Sequence, residues 1–186
     1  MSTTITTAKI KNKLFLAYGY SQRVDGIENK ITTSSDAPIH IDLKNAFLRL
    51  IPHFAFICEE ITEDVARTAI KTGFIKNDEE ENPLNRFDVG GFSIGGSGDS
   101  EGVTISGSKW LQSGKLVNFN TPFIKWDDDY EFGDELIEAV DILKSEVYEY
   151  LEGKQAPKLQ QAMTFMSEEE DEEEVQGQKH FADAEM

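Results

Sequence analysis

Eight residues of this chain carry side chains that suit one chemistry, the capture of a single-stranded nucleic acid. Lys9, Lys11 and Lys13 alternate along one segment and can meet phosphates, with Lys109 as a fourth cation. Tyr18, Tyr20, Trp110 and Phe119 offer flat rings on which bases stack. Binding of this kind needs both parts, cations along the backbone and aromatics under the bases, displayed on a sheet or groove. Phe92 and Trp126 are further aromatics of strand or turn type. The competing explanation is structural, because aromatics at alternating strand positions commonly fill a core. Exposure separates the two, and residue type does not.

Other chemistries find less support. A phosphate cradle requires the order G-x-x-x-x-G-K-[ST] at the opening of a helix. Gly102 to Lys109 reads GVTISGSK, with Trp110 next and strand-like surroundings. Gly96-Ser97-Gly98 runs into Asp99-Ser100-Glu101, so no dinucleotide fingerprint follows it. These glycines are therefore assigned to turns and bulges. The three histidines, His40, His53 and His180, are scattered, and His53 and Cys58 do not share a helical face. Asp127-Asp128-Asp129 lacks the spacing of a calcium loop and is read as a solvated turn before a helix. No serine has a nucleophile-elbow context, and Cys58 lies in an apolar stripe. No metal, no cofactor and no catalytic residue is expected, and the chain is read as a non-enzyme.

The elements that would position the eight residues are mostly strands. From Arg86 to Ile124 apolar residues recur at every second position: Phe87 and Val89, Phe92 and Ile94, Val103 and Ile105, Val117 and Phe119. This predicts three strands joined by tight turns. The apolar parity switches across Gly90-Gly91, as a β-bulge requires. Nearer the N-terminus, a mobile Thr-rich dozen precedes one strand in which Ile10, Leu14, Leu16, Tyr18 and Tyr20 share a face. Asp25-Gly26 then turns the chain into a second strand. Leu43, Phe47, Leu50, Phe54, Ile57, Ile61 and Val65 follow helical spacing, with Asp42 as N-cap and a break expected near Pro52. A short helix follows from Glu63, ended at Gly73, and a loop at Asn77 to Pro83. A second long helix runs from about Gly133 to Glu152, with Leu136, Val140, Leu143, Val147 and Tyr150 buried. The expected class is α+β, with two main helices. A five-stranded, mainly antiparallel sheet and a partly open barrel of the oligonucleotide-binding type both fit the element order.

The 186 residues are read as one domain, 1–153, a linker, 154–166, and a disordered acidic tail, 167–186. The formal charge is −17, and its distribution is uneven. Residues 1–76 hold 10 Lys/Arg and 8 Asp/Glu, whereas residues 77–186 hold 8 and 27. Such an acidic whole disfavours general duplex binding, although it permits a local basic groove. No apolar run is long enough to span a bilayer and no secretory signal is evident, so no membrane partner and a cytoplasmic location are expected. A single cysteine fits a reducing compartment.

The tail carries seven consecutive carboxylates, Glu168, Glu169, Glu170, Asp171, Glu172, Glu173 and Glu174, followed by Phe181 as the nearest apolar anchor. An acidic C-terminal run after a β-rich body resembles the single-stranded-DNA-binding proteins of phages and bacteria. The small size and single cysteine also resemble phage accessory proteins. The resemblance implies single-stranded DNA as ligand, and a tail that recruits replication or recombination proteins and competes with DNA for the basic groove. It also implies the host cytoplasm as location. Ala182-Asp183-Ala184-Glu185-Met186 departs from the usual apolar tip. A self-associating form is compatible with all of this. The alternative is an acidic interaction protein or DNA mimic that binds a basic partner.

Overall fold

The computed structural model describes residues 2–76 and 82–157. Most of the acidic run before Pro83, and the tail positions Glu168 to Glu174 and Phe181, lie outside them. Within them the chain forms an α+β fold whose seven strands make one antiparallel sheet. They are β1 (Ser2–Lys11), β2 (Phe15–Val24), β3 (Ile27–Ser34), β4 (Phe87–Gly95), β5 (Gly102–Trp110), β6 (Leu116–Asn120) and β7 (Ile124–Lys125). The spatial order is β3-β2-β1-β4-β5-β6, with β7 pairing the other end of β5. Neither the five-stranded sheet nor the barrel is observed. The outer strands β3 and β6 stand at opposite ends of the order, so the sheet is open.

Two differences from the sequence expectation account for the extra strands. The Thr-rich N-terminus is itself β1, held by nine pairs from Ser2–Arg23 to Lys11–Phe15. What reads as one continuous strand through Lys13 is broken by Asn12 and Lys13, both at positive φ (50° and 57°). Two consecutive residues in that region make a tight hairpin turn, which reverses the chain before Leu14. Ile10 and Leu16 do share a face, but as partners across the hairpin. β7 is the other addition, a two-residue strand on Gly102 and Val103. The bulge at Gly90 is present, since the register of β4 against β5 shifts between Val89 and Gly91. β1 and β4 meet along only three pairs, Thr7–Ser93, Ala8–Phe92 and Lys9–Gly91. Thr7 Oγ1 donates to the Phe92 carbonyl there at 2.9 Å.

The described residues form four α-helices, where sequence periodicity suggests two main ones: α1 (Ile41–Leu48), α2 (Ile51–Ile57) and α4 (Gly133–Leu151) pack against the sheet, and α3 (Glu63–Thr72) packs on α2. α1 and α2 are one apolar stripe divided where Pro52, near the start of α2, cannot supply an amide hydrogen to the preceding turn. The α1 cap is His40, whose Nδ1 accepts from the Asp42 amide at 3.2 Å, rather than Asp42 itself. Gly73 ends α3 at φ 73°. Leu43, Phe47, Leu50 and Phe54 from the first stripe are buried, together with Leu136, Val140, Leu143, Val147 and Tyr150 of α4. Each such side chain contributes about 1.5–3 kcal/mol by leaving water. They cover Leu16, Phe87, Phe92, Val103 and Ile105 on one side of the sheet. After α4 the chain stays on the body: Gln155 bridges Ile39, and the Ala156 amide donates to the Pro38 carbonyl.

Candidate nucleic-acid interface

Strand parity divides the eight candidate residues between the two sides of the sheet, because directly paired residues point to the same side. Ala8, Tyr18, Phe92 and Ile105 lie on one cross-strand row, and the burial of Phe92 and Ile105 among the helices marks the covered side. The adjacent row runs Ser34, Ala17, Lys9, Gly91, Ser106 and Asn120, on the opposite side. The next one is Thr32, Gly19, Thr7, Ser93 and Thr104. This side, which no described helix covers, is polar, made largely of hydroxyl, amide and glycine positions.

Lys9 and Lys11 stand exposed on the uncovered side, and the Lys11 ammonium donates to Ser34 Oγ at 3.2 Å. Lys13 is exposed in the turn beyond them. Trp110 shares their side, being in step with Ser106 and Ser108 along β5, and is 46% exposed. It lies four residues beyond the Lys9 row, roughly 13 Å along the strand. Phe15, which alternation already sets beside the lysines, joins this side, as do Lys30 and Arg23, which the sequence does not single out. Phe15 pairs Lys11, Lys30 pairs Ser21, and Arg23 pairs Glu28. The signal for Lys30 and Arg23 was parity counted from the turn at Asp25-Gly26. Asp88, also on this side, is neutralised by Lys76 at 2.5 Å.

The other four candidates face the helices. Tyr18 packs edge-on against Tyr150 of α4 and stacks beside Tyr20. Burial, then the neighbouring Tyr20, pushes the Tyr18 hydroxyl above its ordinary pKa. Phe119 stacks on Phe54 at 4.8 Å between ring centres. Gly107 makes room for that contact, since a Cβ there would stand 2.7 Å from the Phe54 ring. Lys109 pairs with Glu60 just beyond α2, its ammonium 5.5 Å from the centre of the Phe87 ring. Trp126 donates to Glu101 and faces Lys144. The structure thus brings Lys9, Lys11 and Trp110 onto one side and Tyr18, Tyr20, Lys109 and Phe119 onto the other.

The helical side differs in charge. α4 and its C-cap Glu152 carry seven acidic residues, Asp134, Glu135, Glu138, Asp141, Glu146, Glu149 and Glu152, against one cation, Lys144. Lys154 binds Asp42, Glu146 and Glu149 at 2.7–2.9 Å, which holds its ammonium charged well beyond the usual lysine range. Under this layer His53 is fully buried, its Nδ1 3.0 Å from the Tyr130 hydroxyl. Desolvation lowers the His53 pKa to about 4 and raises that of Tyr130. Both are neutral at pH 7, which suits a structural pair. Among the described residues no cluster of His, Cys, Asp and Glu has the arrangement of a metal site. No described helix is long and apolar enough to cross a membrane. No protein-family model matches the chain, and no curated protein or solved structure is similar to it.

Proposed function

We propose that the uncovered side of the sheet binds single-stranded DNA and that the acidic tail regulates this binding. The observation that carries the proposal is the position of Lys9 and Lys11 on a sheet face that no described helix covers. Phe15 beside Lys11 and Trp110 further along the same side offer stacking surfaces, and hydroxyl and amide side chains between them can bond to phosphates. In this proposal Tyr18, Tyr20, Lys109 and Phe119 support the sheet from beneath. The carboxylate run of the tail, Glu168 to Glu174, begins eleven residues after the last described residue, Pro157. Eleven residues reach up to about 36 Å when extended, enough to arrive at the lysine face. There the carboxylates compete with phosphates for Lys9 and Lys11.

Trp110 emission, titrated with oligothymidylate at low salt, tests the proposal. Removing residues 158–186 is expected to tighten binding and steepen its salt dependence. Replacing Lys9 and Lys11 with Gln is expected to lower the salt slope by about 1.4, at ~0.7 per phosphate contact on a single strand. Lys109→Gln is expected to leave the slope unchanged. Absence of binding by the truncated protein would end the proposal.

One observation favours a second function, engagement of a basic partner protein: the seven acidic residues of α4 and its cap, set against one lysine. Affinity capture with nuclease treatment distinguishes the two. A stoichiometric protein partner that survives nuclease and is lost on Glu138→Lys with Asp141→Lys supports this reading.

A further inference from the structure

We propose that two copies of this chain join through their β3 edges, antiparallel about a two-fold axis at Asn29, to form one sheet running through a dimer. Among the described residues β3 has no neighbour on its outer side, and all eight of its residues are exposed. Edge strands in soluble proteins are usually short, bulged, covered, or guarded by proline or charged side chains. β3 has no proline, and its eight pairs with β2 run from Ala17–Ser34 to Val24–Ile27 without a register shift. Its two charges, Glu28 and Lys30, are of opposite sign.

The hairpin turn determines which registers are allowed. Asp25 and Gly26 form a two-residue turn, both at positive φ (51° and 81°), so Val24 and Ile27 are its closing hydrogen-bonded pair. Hydrogen-bonded and non-hydrogen-bonded pairs alternate from there. Glu28, Lys30, Thr32 and Ser34 therefore turn their amides and carbonyls away from β2. Only these even-numbered residues can bond to a second β3, and each must meet an even-numbered residue of the partner. A centre at Asn29 satisfies this and sets Glu28 opposite Lys30 of the partner twice, on the uncovered side. On the helical side it sets Ile27 against Ile31 twice. A centre at Glu28 or Lys30 would face like charges, and a centre nearer the C-terminal end of β3 leaves Ile27 uncovered.

The side chains left exposed fit the same register. Val24, Ile27 and Ile31 are 37%, 66% and 36% exposed, and cross-strand pairing puts all three with Tyr20 on one side. Apolar pairs at non-hydrogen-bonded positions bring side chains closest together, so Ile27 and Ile31 would cover one another across the axis. Opposite charges facing each other add to the pairing, and a closed two-fold contact stops growth at two copies. The dimer does not depend on what the uncovered face binds. If that face does bind DNA, both sets of Lys9, Lys11 and Lys30 lie on one continuous surface.

Sedimentation of the full-length protein up to submillimolar concentration, with no DNA present, tests this. A reversible monomer–dimer equilibrium is expected. Glu28→Lys or Lys30→Glu should weaken it about tenfold or more, and the double exchange should recover most of the loss. Lys30→Pro removes an outward amide and should give a monomer with unchanged melting temperature. Because Asn29 meets itself on the axis, Asn29→Cys should yield a disulfide-linked dimer under mild oxidation, absent from the parent, whose one cysteine is Cys58. A strictly monomeric protein, open-ended growth through unlike edges, or a dimer that survives Lys30→Pro without cross-linking at Asn29 each overturns the proposal.

Discussion

His53 illustrates how burial alone gives a residue a consequence for pH. Its imidazole is 1% exposed and its pKa falls from the ordinary 6.5 to about 4 because the charged form loses its water. The unfolded chain therefore binds a proton between those values that the folded chain refuses. Stability from this site is complete above pH 6.5 and is lost as pH falls from there to about 4. At 1.36 kcal/mol per pH unit the loss is roughly 3 kcal/mol. Urea unfolding at pH 7 and pH 4.5 should show that loss, and His53→Leu should remove much of the difference. Tyr150 is a second residue with a definite cost. Its hydroxyl donates to the Ala37 carbonyl at 2.5 Å and its ring supports Tyr18. Tyr150→Phe keeps the ring and strands the carbonyl, so a loss of about 1–3 kcal/mol in denaturant midpoint experiments is expected.

Between elements, close approach of backbones sets the limits. β7 lies so near β5 that a Cβ on Gly102 would stand 2.1 Å from the Ile124 carbonyl oxygen. Gly102→Ala must push β7 away, breaking its two pairs and moving Trp126 off Glu101. A red-shifted tryptophan emission, with loss of stability on the order of 1–3 kcal/mol, is the expected result. The same comparison of elements shows what the residue pattern made legible. The α4 stripe, the division at Pro52, the stop at Gly73 and the bulge at Gly90 each follow from local chemistry, a period, a missing amide, a missing Cβ. The turn at Asn12-Lys13 did not announce itself, because a lysine at positive φ has no compositional mark and the alternation of Lys9, Lys11 and Lys13 runs straight across it. Sidedness was hidden for a related reason. Whether Tyr18 or Lys9 meets solvent depends on where the helices lie, which neither strand encodes by itself. That Lys9 and Lys11 share a face opposite Tyr18 and Tyr20 follows from alternation alone, whereas the separation of Lys109 and Phe119 from the two lysines could not be read in advance.

At the scale of the molecule, charge and connectivity are both divided. The whole chain carries −17; residues 158–186 hold nine acidic residues and two lysines, so residues 1–157 alone carry −10. Truncation at Pro157 keeps the whole of the buried cluster formed by the described residues, from Ile5 to Tyr150, and is expected to leave the melting temperature unchanged within error. Calorimetry of the two lengths checks this. The connectivity is that of two meanders, β1-β2-β3 and β4-β5-β6, with β7 returning to β5, joined by the three-pair seam between β1 and β4. Each meander pairs neighbours in sequence, so its loops close quickly, whereas the Thr7–Phe92 contact spans 85 positions. This separation sets an order of events in time. The meanders can form early and independently, and the seam closes last, as the helices dock across it. Thr7→Val, which deletes the seam hydrogen bond, should therefore speed unfolding and leave the folding rate nearly untouched. Gly26→Ala, at the β2–β3 turn, should slow folding instead. Stopped-flow chevrons would show the two effects on opposite limbs, and pulling on the ends of the body should part the sheet at those three pairs first.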